Sequence, residues 1–322
     1  MALLGIKSLV FGVDDLEACQ RFYDEFGLEL AERTEGMSRY QLAEGSSFIL
    51  RRGDDPALPA PFLNGPGPRE VIWGVDSQAS LDALVADLKR DRVVETDAQG
   101  IAHTRDDSGI AIGLAVFDRT PVAATAPPTE NAPDRVTRLD QHRRWYDRAR
   151  PKVINHVVFG VPNIDQAVAF YTGRLGFKVS DIMRGLGFFL RCDGKRDHHN
   201  LFLLNLPRLV FSHLSFGVEN IDELMTGANR MQRAGWGSDN GLGRHRASSM
   251  IFFYMNSPAG GQTEYSADGD YVTDAWKPRL WDPEYANHHW LASGTGEPRG
   301  AVEIWEGGEI PKIADTVRPA PA

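Results

Sequence analysis

The stretch Val158-Phe159-Gly160-Val161-Pro162-Asn163-Ile164 reads as the end of an apolar strand, a helix cap and the first helical residue. It has a counterpart 148 positions earlier, Val10-Phe11-Gly12-Val13-Asp14-Asp15-Leu16, and the same offset carries Phe22-Tyr23 onto Phe170-Tyr171. A further pair, Trp73-Gly74-Val75 and Phe216-Gly217-Val218, repeats the strand ending inside each half. Self-similarity at a fixed offset marks duplicated architecture.

Outward from each of these four strands runs one pattern: strand, helix, three short strands. In the first copy Asp14 or Asp15 caps a helix whose apolar face is Leu16, Cys19, Phe22, Tyr23 and Phe26, and Gly27 ends it. In the second, Glu70–Val75 leads to a helix with Leu81, Leu84, Val85 and Leu88 inward. In the third, Asn163 caps a helix with Ile164, Ala167, Val168 and Tyr171 inward, and Gly176 is its expected end. In the fourth, Leu209–Val218 precedes a helix with Ile221, Leu224, Met225, Ala228 and Met231 on one side, then strands through Tyr265. The fold class is α+β, with two tandem domains of two βαβββ modules each. The expected boundaries are a first domain over 1–118, a linker over 119–150, a second domain over 151–290 and a tail over 291–322. Ala-Pro-Thr tracts fill 120–133, and the charged stretch Arg135–Arg150 is expected to end the linker in a short helix.

The 322 residues carry a formal net charge of -9, which argues against nucleic acid or an anionic membrane as partner. The two cysteines, Cys19 and Cys192, cannot build a disulfide framework or a thiolate metal site. No apolar run approaches the roughly 18 residues of a membrane span, and the first residues lack a signal-peptide pattern. The expected location is the cytoplasm.

Three residues in strands of the second half stand apart: His156 in Asn155-His156-Val157, His213 in Ser212-His213-Leu214 and Glu264 in Gln262-Thr263-Glu264-Tyr265. Alternation places His156 on one face with Ile154 and Val158. A lone histidine there would ordinarily be a core residue, but a buried strand carboxylate is costly unless paired or metal-bound. Two imidazoles and a carboxylate are the donor set of a facial triad for Fe(II), with Mn(II) also suited and open positions left for substrate and oxygen. The repeat acts as a control. Ser8, Glu70 and Gly113 hold the corresponding positions in the first half, so the ligand set is not something the fold requires.

Together with His198-His199, Gly243-Arg244-His245, Phe252-Phe253-Tyr254 and Ser257-Pro258-Ala259-Gly260, these motifs make the chain resemble, over nearly its whole length, the type I extradiol ring-cleavage dioxygenases of the vicinal oxygen chelate superfamily. The resemblance implies Fe(II) held by His156, His213 and Glu264, and O2 as co-substrate. It also implies His199 as acid–base residue and His245 and Tyr254 on the substrate hydroxyls. The implied activity is meta cleavage of a catechol-type diol in aromatic compound degradation, by a homo-oligomer. On their own terms His199 also reads as a surface histidine of the charged loop Lys195-Arg196-Asp197-His198-His199, and Tyr254 as a core aromatic. Arg246-Ala247-Ser248 departs from the Thr-Asn-Asp of some relatives, and Arg246 either meets an anionic substrate group or faces solvent. His288 and His289 are expected at the surface or in the tail, and His103 and His142 are given the same reading. The aromatics Tyr271, Trp276, Trp281 and Tyr285 either wall the pocket or pack the tail. The alternatives are a glyoxalase-like isomerase or lyase, whose sites generally use four protein ligands, and a non-catalytic aromatic-binding protein of the bleomycin-resistance kind.

Overall fold

The computed structural model describes residues 2–122 and 130–318. Part of the expected Ala-Pro-Thr tract and the last four tail residues lie outside them. The first module is β1 (Leu3–Val13), α1 (Leu16–Phe26), β2 (Glu29–Arg33), β3 (Met37–Gln41) and β4 (Ser47–Arg52). The second is β5 (Gly67–Val75), α2 (Gln78–Leu88), β6 (Glu95–Thr96), β7 (Ala102–Arg105) and β8 (Ala111–Val116). They form one sheet in the order β2-β3-β4-β1-β5-β8-β7-β6, with β1 and β5 antiparallel at its centre.

The second half repeats this with β9 (Val153–Val161), α3 (Ile164–Gly173), β10 (Lys178–Met183), β11 (Gly187–Arg191) and β12 (Leu201–Asn205). Then follow β13 (Val210–Gly217), α4 (Ile221–Arg233), β14 (Gly241–Arg244), β15 (Ile251–Asn256) and β16 (Gln262–Ala267). Strands β17 (Arg279–Trp281), β18 (Trp290–Leu291) and β19 (Val302–Ile304) extend the second sheet to eleven strands, flanking its two ends.

The caps follow the sequence closely. Asp15 accepts from the Ala18 N–H and Ser77 from the Ser80 N–H. Gly27 ends α1 at φ 95°, and a Cβ there would stand 2.1 Å from the Ala149 carbonyl oxygen. Helix α3, however, ends at Gly173, and Gly176 serves the turn beyond it at φ 77°. The expected helix over Arg135–Arg150 is absent. Asp134 and Asp140 take left-handed backbone angles, and the Asn131 side chain accepts from the Thr137 and Arg138 N–H groups in place of helical carbonyls. Val136, Leu139 and Trp145 stay exposed, so the segment has no apolar stripe to bury.

One core joins the halves. The Phe26 ring stacks on Tyr265 at 3.8 Å, the Tyr265 hydroxyl donates to the Phe26 carbonyl at 2.6 Å, and the Tyr23 hydroxyl lies 3.0 Å from Thr263 Oγ1. An aromatic pair of this kind adds about 0.5–1.5 kcal/mol beyond its buried area. Thr263 and Tyr265 therefore anchor β16 to α1 on one face and leave Glu264 directed to the other.

Candidate metal centre

His156 and His213 do not arrive at the site by simple alternation. In the antiparallel pairing of β9 and β13 one residue is skipped on each strand, Asn155 on β9 and Ser212 on β13. Each histidine directly follows a bulge, which re-aims the next side chain. This corrects the expectation that Ile154 shares the His156 face, because Ile154 is part of the main core whereas Val158 and His156 line a cavity. The parallel pairing of β13 with β16 sets Glu264 beside Ser215, within reach of both imidazoles.

His156 Nε2 lies 3.1 Å and His213 Nε2 3.7 Å from Glu264 Oε2, and the two nitrogens are 3.2 Å apart. Donors about 2.1 Å from one octahedral cation and at right angles to each other lie about 3.0 Å apart. Glu264 is fully buried, and neither of its oxygens has a hydrogen-bond partner of acceptable geometry among the described residues. A desolvated carboxylate left this way fits a cation far better than ordinary packing. Burial alone would raise the Glu264 carboxyl, yet His156, His213 and His245 bring it down to about 2. Burial pushes His213 down to about 3, against the pull of Glu264. Glu264 and His213 therefore present a carboxylate and an unprotonated imidazole, the forms that bind metal.

A cavity of about 230 Å³ opens over the triad. The His199 ring sits 4.2 Å from the His156 ring, and burial together with the neighbouring histidines His156 and His198 holds it well below the usual imidazole range. His245 donates from Nδ1 to the Asn287 carbonyl, so its Nε2 accepts from the Tyr254 hydroxyl at 3.3 Å. Burial and the Glu264 carboxylate keep Tyr254 a neutral phenol. All six sequence-derived site residues thus meet at one place.

The remaining candidates separate. Arg246 neither enters the cavity nor faces open solvent: its guanidinium stacks 4.6 Å over Tyr285 and its Nη1 lies 3.0 Å from His289 Nδ1. His288 is closer in than expected, its ring 5.9 Å from that of His245. Trp281 and Tyr285 pack beside the cavity wall, and Tyr271 is exposed. Ala286 and Asn287, near the end of the expected second domain, line the cavity. Ser248 also lines it, at a left-handed φ of 71°.

The first half shows what the fold looks like without the ligand set. Bulges recur there at Lys7 and Arg69, and Ser8, Glu70 and Gly113 take the places of His156, His213 and Glu264. His103 stands across from Gly113 as Tyr254 stands across from Glu264. It is not the plain surface residue expected. Its Nδ1 lies 2.7 Å from Glu70 Oε1 and its Nε2 3.2 Å from Asp97 Oδ2. Those hydrogen bonds, Glu70 first, raise His103 to about 9. A raised histidine stabilises the fold fully below its ordinary value near 6.5, and that contribution is lost as pH rises through about 9. Wild type is therefore expected to lose thermal stability between pH 7 and 10 more steeply than His103→Gln. Equal slopes in calorimetry would contradict the ion pair.

Residues 153–265 match the Glyoxalase/Bleomycin resistance protein/Dioxygenase superfamily. Metapyrocatechase 2 of Cupriavidus necator is 27% identical over 293 residues, covering 90% of this chain and 89% of its own length. Among solved structures, the Mn(II)-bound glyoxalase from Novosphingobium aromaticivorans superposes with TM-score 0.73 at 24% identity, covering 92% of this chain and 94% of that one. A halotolerant catechol dioxygenase superposes with TM-score 0.71 at 17% identity, covering 94% and 99%. These superpositions show the shared fold.

Proposed function

We propose, from the premise that residues 153–265 belong to the glyoxalase, bleomycin resistance protein and dioxygenase superfamily, that this chain is an extradiol dioxygenase opening a catechol-type ring with O2. The observation that carries this reading is the meeting of His156, His213 and an unpaired, buried Glu264 beside a cavity that His199 also lines. A ferrous ion held by those three residues, with Mn(II) as the alternative, supplies a Lewis acid for the diol and a route for electron density into dioxygen.

The protein's own groups do the rest. His199, kept unprotonated by burial, takes a proton from a diol hydroxyl and returns it later in the sequence. The Tyr254 hydroxyl oxygen, whose hydrogen goes to His245 Nε2, accepts from a substrate hydroxyl. Val158, Met183, Phe189, Phe202 and Met250 clamp the ring and keep water out. Atoms balance as one diol plus one O2 giving one ring-opened semialdehyde acid.

Among the described residues the cavity lining contains no Lys, Arg, Asp or Glu, and its volume suits a single ring with a small apolar substituent. Burying an unpaired carboxylate there costs roughly 3 kcal/mol, about two orders of magnitude in rate. A methylcatechol is therefore expected to exceed a carboxymethyl-catechol about 100-fold in kcat/KM. Equal values in parallel assays would reject the apolar pocket.

The reading is tested by anaerobic Fe(II) reconstitution, then oxygen and a panel of substituted catechols. A yellow product and oxygen uptake are expected, and iron-replete protein that consumes no catechol would refute it. A glyoxalase-type isomerisation is the second reading, favoured by the fold shared with the Mn(II)-bound glyoxalase. The single three-donor cluster among the described residues speaks against it. Turnover of a thiol hemiacetal, with none of catechols, would select it. Cytoplasmic placement suits the free, buried Cys19 and Cys192. Homo-oligomerisation would use exposed apolar groups such as Leu139 and Trp145, and sedimentation reads it directly.

A further inference from the structure

Behind His199 lies a chain of buried groups with no part in the steps above. His198 and His199 approach through their Nδ1 atoms at 3.1 Å, and His198 Nε2 lies 3.1 Å from Asp181 Oδ2. Asp181 and His198 are 0% and 1% exposed. The Trp281 indole N–H donates to Asp181 Oδ2 at 2.7 Å, and the Arg279 backbone N–H donates to Oδ1 at 2.7 Å.

Both Asp181 oxygens are thus acceptors, and the hydrogen in the third contact belongs to His198 Nε2. A neutral imidazole has one ring hydrogen. With it on Nε2, His198 Nδ1 is bare. The 3.1 Å contact is then a hydrogen bond only if His199 carries its own hydrogen on Nδ1. The opposite tautomer of His199 would set two lone pairs against each other in a dry interior, at the cost of an unmade buried hydrogen bond.

We propose that Asp181 and His198 are positioning residues that lock His199 in the Nδ1–H tautomer, leaving its Nε2 lone pair for the diol. Strand pairing supports the arrangement. Asp181 on β10 stands opposite Arg279 on β17, so that strand delivers both donors that fix the carboxylate. Phe189 packs edge-on against both imidazoles, at 5.3 and 4.9 Å, and sets their planes. The His198 backbone N–H is tied to the Asp270 carbonyl at 3.0 Å. Such outer partners typically matter by roughly 10- to 100-fold.

The catalytic half of this proposal rests on the acid–base role given to His199; the tautomer half does not. The test uses the full, metal-free chain labelled with 15N-histidine, read by long-range 1H–15N spectra near neutral pH. The His199 signals are assigned by their loss in His199→Gln. Wild type should show His199 protonated at Nδ1 and bare at Nε2. Asp181→Asn and His198→Phe should move it toward Nε2–H. In Fe(II)-loaded protein they should lower kcat on the order of 10- to 100-fold, with KM and iron content unchanged. Wild-type His199 protonated at Nε2 would overturn the proposal even if neither variant folds. So would folded variants with unchanged tautomer and kcat. If the tautomer is as stated and the iron-loaded wild type opens no catechol, the dioxygenase reading fails and the lock stands.

Discussion

Glu264→Ala protein, reconstituted anaerobically with Fe(II), is expected to retain almost no iron and to open catechols at least about 10³-fold more slowly than wild type, the equivalent of roughly 4 kcal/mol. The carboxylate is the sole anion of the triad, and His156 and His213 alone cannot offset the desolvation of a divalent ion. A ligand that binds only the folded state raises the melting temperature by mass action. Wild type should therefore melt higher with Fe(II) than without, and the variant should show no such rise. Iron analysis after gel filtration, melting curves and oxygen uptake give three separate readings. Full turnover by the variant would remove Glu264 from the site.

His199→Gln is expected to act differently. The residue is outside the donor triad but lines the same cavity, so iron content should match wild type. Loss of a positioned acid–base group typically costs about 10²- to 10⁴-fold in rate. The decrease should appear in kcat, with KM changing little, because the ring still rests on Phe189 and Phe202. Rates within a factor of two of wild type would transfer the proton step to another group, of which His245 is the nearest in kind.

Much of this was legible in the sequence for a reason particular to duplicated chains. The 148-residue offset compares like with like, so the difference between His156 and Ser8 stands out against a shared strand and cap. What the letters could not supply was contact across distance. Asp181 meets His198 17 positions away and Trp281 100 positions away, and neither spacing has a local signature. His103 appears plain until strand pairing brings Glu70 and Asp97 to its two nitrogens. The bulges at Asn155 and Ser212 were hidden as well, because a skipped residue shows only in the register of the partner strand. The charged stretch Arg135–Arg150 forms no helix because it carries no apolar stripe to bury, with Val136, Leu139 and Trp145 exposed.

The stacking of Phe26 on Tyr265 bears on how the two halves could ever be separated. A gene trimmed to start near residue 151 would yield a product whose ligand-bearing strand has lost its backing, with the flat of a tyrosine bare to solvent. Iron would then have to organise the very strand that is supposed to receive it. The half that lacks the candidate donor set acts as the splint of the half that carries it.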